Sequence, residues 1–226
     1  MKSFALLSLL TTVVSGHYWF DKTLYAGKTS ASWQFIRPTD NDGSKCWSCG
    51  MLDAKDPRLS CYQTAVKAAP EVLSVTAGQP ISFIPGNNMG HTGPLLWFMA
   101  KVPQGQDVKT WDPTGKDVWF KIQQSGSKAG STYPDFDAGF NQVNTTIPRQ
   151  VPSGDYLLRF EHIALHAGDP QFYVGCAQIS VTGGGNGAPA PLAALPGVYT
   201  QGEPSLNLSL IKGPYVYPAP AVWNGN

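Results

Sequence analysis

The chain has 226 residues, 42% hydrophobic and only 14% charged, with sixteen basic and fifteen acidic side chains. That length carries one domain with a full core. A near-even charge balance with no basic run makes nucleic acid and an anionic membrane surface poor partners, while a neutral polymer is compatible with it.

Residues 1–16 read as a segment removed before folding. Lys2 is a basic start, residues 4–14 form an apolar run, and Val14-Ser15-Gly16 ends in small residues suited to signal peptidase. Eleven apolar residues fall short of the ~20 that span a bilayer. Cleavage after Gly16 leaves a mature chain of residues 17–226, exported and extracellular, that starts at His17 and carries fifteen charges of each sign. Strands are expected at 33–37, 73–76, 80–85, 95–102, 118–123, 155–164 and 171–182, separated by turns drawn from twenty-four glycines and nineteen prolines. In the sixth, Tyr156, Leu158 and Phe160 alternate with Leu157, Arg159 and Glu161, the pattern of a half-buried strand. Many short strands with Gly/Pro breaks indicate an all-β sandwich. Residues 183–197 are rich in Gly, Ala and Pro, and the remainder is too short for a second domain, so a C-terminal extension wrapping the sandwich is expected. Asn144-Thr145-Thr146 and Asn207-Leu208-Ser209 are N-glycosylation sequons.

Four cysteines, Cys46, Cys49, Cys61 and Cys176, in an exported chain predict disulfides, with three connectivities open. Cys46 and Cys49 form a lone CxxC, without the second pair that a structural zinc site requires.

The four histidines carry the chemistry. A histidine at the start of a mature chain can chelate one metal ion through its α-amine and its own Nδ1, and a distant histidine then completes a T-shaped set of three nitrogens. Such an open, nitrogen-rich geometry suits Cu(II). The amine's ordinary pKa of about 8 means that copper displaces only a weakly held proton. His91 lies in Asn87-Asn88-Met89-Gly90-His91-Thr92-Gly93-Pro94, a loop at a strand end. His162 and His166 lie four apart in an extended segment, so either one can face the site. Gln171 and Tyr173 share one face of the following strand, and Phe172, Val174 and Cys176 share the other. A tyrosine hydroxyl there can occupy an axial metal position, with Gln171 and a histidine hydrogen-bonding to a bound oxygen species. The acidic residues are scattered, with no evident pair for a two-carboxylate glycosidase.

Taken together, several ordered motifs resemble the fungal lytic polysaccharide monooxygenases of auxiliary activity family 9. They are His17 after the leader, Trp33-Gln34-Phe35-Ile36-Arg37, the Gly90-His91-Thr92-Gly93-Pro94 loop and the run Tyr156 to His166. Gln171-Phe172-Tyr173-Val174-Gly175-Cys176-Ala177-Gln178 and Pro196-Gly197-Val198-Tyr199 complete the match. The resemblance implies an immunoglobulin/fibronectin-like β-sandwich with long loops and a flat copper-bearing face. It implies His17 and His91 as copper ligands, Tyr173 as the axial group, and His166, rather than His162, beside Gln171 next to the reacting oxygen. It further implies a Cys61–Cys176 disulfide, which leaves Cys46 with Cys49, and a substrate-facing Tyr199. The activity implied is oxidative cleavage of cellulose or a related β-1,4-glucan at C1, C4 or both, by a monomer. It needs one copper ion, an external small-molecule or protein reductant, and O2 or H2O2 as co-substrate. A non-catalytic copper- or polysaccharide-binding protein of the same fold is the alternative.

Overall fold

A computed structural model describes residues 17–41, 50–166 and 168–225. In chain order the strands are β1 (Phe20–Tyr25), β2 (Lys28–Thr29), β3 (Leu73–Thr76), β4 (Pro80–Pro85) and β5 (Leu95–Lys101). They continue with β6 (Asp117–Ser125), β7 (Val143–Thr146), β8 (Gly154–Ala164), β9 (Gln171–Thr182) and β10 (Ala193–Ala194). Three single 3-10 turns are the helical elements among the described residues, and no helix there is long and apolar enough to cross a membrane. One sheet has the order β2-β1-β4-β7 and the other β10-β6-β5-β8-β9-β3. Their pairings are antiparallel except for β3 with β9.

The space between the sheets is filled by one face of each. Phe20, Ile81, Phe83 and Val143 come from the smaller sheet, and Trp97, Met99, Phe120, Leu158, Phe160 and Ile179 from the larger. Aromatic edges meet faces in this layer: Phe20 packs on Phe160 at 4.8 Å between centroids and Phe83 on Trp97 at 4.9 Å, both T-shaped.

The half-buried reading of β8 is corrected by the structure. Leu157, Arg159 and Glu161 are as fully buried as Tyr156, Leu158 and Phe160. Loops and the C-terminal extension cover the outer face of the larger sheet, burying Leu59, Trp111, Leu195, Leu206 and Tyr215 against Phe98, Trp119 and Phe172. The Cys61–Cys176 disulfide ties one of these loops to β9, with 5.4 Å between Cα atoms. Cys46, Cys49 and residues 1–16 lie outside the described residues.

The expected strand at 33–37 is also corrected. It makes a single bridge, Ile36 to Ala177, with Arg37 N donating to Cys176 O and Gln178 N to Phe35 O. Pro38 follows directly, lacks an amide hydrogen and ends the pairing. Both sequons are placed. Asn144 is exposed on β7, the edge of the smaller sheet, and Asn207 accepts from Ser209 N at 3.0 Å and Ser209 Oγ at 2.6 Å in a 3-10 turn.

Candidate metal centre

At one end of the sandwich, the start of β5 and the end of β8 run side by side. Pairing continues past them: Ile163 N donates to Pro94 O at 3.1 Å and Leu165 N to Thr92 O at 2.9 Å. The His91 loop is thereby laid along the chain leading to His166. Gly93 makes this possible, because a Cβ there would lie 1.9 Å from Ile163 O. As a result the His91 and His166 rings stack at 3.9 Å, only 8° from parallel.

Tyr173 sits at the near end of β9, opposite His162 in the ladder. Its ring is buried beneath the stacked pair, 5.9 Å from His91, and its hydroxyl donates to Gln171 Oε1 at 2.8 Å. Burial pushes the Tyr173 phenol well above its ordinary range, so it stays protonated. Gly50 packs directly on Gln171, and Met51 and Phe172 exchange backbone hydrogen bonds of 3.1 and 2.9 Å, which fixes this end of β9 from its outer side.

His17 enters from the smaller sheet. Asn87 Nδ2 donates to its carbonyl at 3.1 Å, and Gly86 N donates to Trp19 O at 2.8 Å, so residues 17–19 lie against the loop that carries His91. Between them Tyr18 is fully buried. Its ring stacks on Tyr173 at 4.1 Å, and its hydroxyl is hydrogen-bonded to His162 Nδ1.

The two histidines left open by residue parity therefore have different places. His166 is exposed beside His91, while His162 points into the core between the sheets with no exposure. Burial drives the His162 pKa down to about 3, helped by the neighbouring His91 and His166, so it is neutral. His166 is lowered first by burial and then by His17. After burial, the neighbours that lower these two pKa values are other histidines.

That donor set is nitrogen-rich with a phenol beneath it, which fits a copper-type ion rather than calcium or magnesium. Among the described residues no three His, Cys, Asp or Glu side chains form a metal-ligand group. A brace does not require one, because its third nitrogen is an amine. With residue 16 attached that nitrogen is a peptide N–H, so the chelate needs the chain to be cut before His17.

Tyr199 is corrected. It is 3% exposed, its ring stacks on Phe172 at 5.9 Å, and its hydroxyl donates to Glu161 Oε2 at 2.6 Å. The extension that carries it covers the outer face of the sheet, so the ring cannot reach a sugar. An aromatic that nothing in the sequence singled out, Tyr133, is 72% exposed on a hairpin whose base joins the His91 loop. It sits at the tip of that hairpin, which is closed by a Ser127–Phe136 bridge and a Lys128–Asp135 ion pair of 3.0 Å. Both legs of that hairpin touch the His91 loop: Gly139 N donates to Met89 O at 2.8 Å, and Gly126 lies against Gly93.

Comparison with known proteins agrees with this geometry. Residues 14–217 match the family model described as Auxiliary Activity family 9 (formerly GH61). Two curated relatives from Malbranchea cinnamomea are named AA9 family lytic polysaccharide monooxygenases H and C. The first is 39% identical over 97% of each chain, and the second is 41% identical over 99% of this chain and 98% of the relative. Among solved structures, a cellulose-active polysaccharide monooxygenase from M. thermophila superposes with a TM-score of 0.77 at 29% identity, covering 93% of this chain and all of that one. The chain belongs to auxiliary activity family 9, the lytic polysaccharide monooxygenases.

Proposed function

We propose that the mature chain, secreted and starting at His17, holds one copper ion and oxidatively cleaves cellulose or a related β-1,4-glucan at C1, C4 or both. The observation that carries this reading is the convergence of His17, His91, His166, Gln171 and Tyr173 on one end of the sandwich.

The chemistry that bound copper supplies is one-electron activation of O2 or H2O2, fed by an external reductant. Everything else falls to the chain's own residues. His17 offers its amine and ring, and His91 the opposing ring, held in place by the strand pairing of its loop. Tyr173 closes the site from below and, through its hydroxyl, fixes the amide of Gln171. His166, stacked on His91 and exposed, stands with Gln171 where hydrogen-bonding groups can orient the co-substrate. A hydroxylated glycosidic carbon then expels its neighbour without an acid–base pair. Glu161, the carboxylate on β8 near this end, is buried and bonded to Arg159 and Tyr199, so it is unavailable for hydrolysis. The hairpin presents the Tyr133 ring as a stacking surface for a sugar.

Mass spectrometry of products from amorphous cellulose tests this. Copper-loaded protein with ascorbate should release oxidised oligosaccharides, and omitting ascorbate should abolish them. Native oligosaccharides released equally with and without ascorbate would identify a hydrolase, and copper binding without products would identify a binding protein.

A further inference from the structure

We infer that the hydrogen bond between Tyr18 and His162 pins the amine-bearing end of the chain in place, so that both are positioning residues for the metal. The inference rests on the copper reading above. In that reading two of the three nitrogen ligands come from the first residue of the mature chain, and a chain terminus frays unless something holds it.

His17 itself is only half-buried, and its carbonyl takes one hydrogen bond from Asn87. The next residue is held far more firmly. Tyr18 lies between Tyr173 at 4.1 Å and His162 at 5.7 Å, with His91 at 5.8 Å, and Asn41 Nδ2 donates to its carbonyl at 3.4 Å. One buried ring thus packs against both Tyr173 and His91, the residues that would flank the metal, one peptide bond away from His17. The anchor at its far end is rigid. His162 lies opposite Leu95 of β5 and Tyr173 of β9, in an interior strand laddered on both sides.

Stability does not account for His162. The imidazole is wholly buried, and among the described residues its Nε2 has no hydrogen-bond partner. A buried polar atom left unsatisfied costs free energy, and an apolar pair, leucine at 162 with phenylalanine at 18, would avoid that cost. What the imidazole does provide is a polar atom, Nδ1, placed to meet the Tyr18 hydroxyl.

The test uses mature protein with His17 verified as residue one, in wild-type form and as His162→Leu, His162→Asn, Tyr18→Phe and the double variant Tyr18→Phe/His162→Leu. Copper affinity by competitive titration, the Cu(II) electron paramagnetic resonance spectrum and the apo melting temperature are measured for each. His162→Leu leaves the buried Tyr18 hydroxyl without its partner and should melt modestly lower than wild type. The double variant removes both polar groups and should recover most of that loss. Both should bind copper about tenfold more weakly, the scale on which outer partners of metal ligands act. Their spectra should shift. His162→Asn places an oxygen near the position of Nδ1 and should recover most of the affinity. Tyr18→Phe removes one oxygen atom, should reproduce the His162→Leu defect, and keeps the test alive if leucine disturbs the core. Combining the two changes should add nothing to the loss of affinity. Wild-type affinity and spectrum in both His162→Leu and Tyr18→Phe would overturn the inference, as would an asparagine variant no better than leucine. Wild-type protein that takes up no copper would remove the site reading and this inference with it.

Discussion

The two faces of the larger sheet are covered in different ways. The inner face meets a second sheet, whose backbone groups are already paired in ladders, and apart from His162 apolar and aromatic side chains fill the space. The outer face meets loops and the C-terminal extension, whose carbonyls have no ladder to join. Buried cations serve them instead. Arg37 donates to Val108 O and Trp111 O at 2.8 Å each, Arg159 to Ser60 O at 2.8 Å and Leu59 O at 2.7 Å, and Lys121 to Pro218 O at 2.5 Å. Burial shows its cost in the Arg37 pKa, pushed down to about 10, and in that of Lys121, pushed down to about 8 against the opposing pull of Glu161. Covering a sheet with another sheet calls for shape; covering it with irregular chain calls for donors as well.

The strongest way to break this comparison is Arg159→Met. The replacement fills similar space but strips Glu161 of its 2.8 Å partner and leaves two loop carbonyls without donors. Removing one member of a buried ion pair costs about 3–5 kcal/mol. Chemical denaturation should show that loss, and a change below about 1 kcal/mol would mean that the loops do not depend on the guanidinium.

Lys121 sharpens the same contrast through pH. Its folded pKa of about 8 lies below the ordinary 10.5, so between these values the unfolded chain holds a proton that the folded chain has lost. Stability therefore rises with pH across that window, by on the order of 2–3 kcal/mol if no other group intervenes. Tyr62 and Tyr156, both raised to about 12 by burial, act in the opposite direction above pH 10, so the clean interval is pH 8–10. Lys121→Met should flatten the slope of denaturation free energy across that interval. Equal slopes in the two proteins would show that the Lys121 ammonium is not desolvated as its burial implies.

Much of the larger sheet was legible from sequence because its strands are nearly continuous apolar runs bounded by Gly and Pro. β3 and β9 appear where expected, as does β4 in the smaller sheet, and β8 starts one residue earlier. The smaller sheet was harder. β1 carries Asp21 and Thr23, both buried, and β7 is a short Val-Asn-Thr-Thr edge, so neither shows an apolar pattern. Strand parity put Gln171 with Tyr173 and separated them from Cys176, as found, because period two holds within β9. The same rule could not distinguish His162 from His166. That difference arises where β8 ends and the chain turns outward, beyond the reach of periodicity. Tyr18 gave no signal, since its burial comes from three residues distant in sequence. Tyr199 misled for a related reason: its motif matched, but the extension it belongs to folds over the outer face.

The central claim is that His17 binds metal through a free amine. Adding one glycine before His17 keeps every side chain and turns that amine into an amide. The claim predicts an unchanged apo melting temperature, because chain ends carry little packing. Copper affinity should fall by more than the ~10–100-fold that an outer partner costs. The stabilisation that copper gives by binding only the folded state should shrink with it. If the glycine-extended protein binds copper as tightly as protein beginning at His17, and oxidises cellulose as fast, the brace is contradicted.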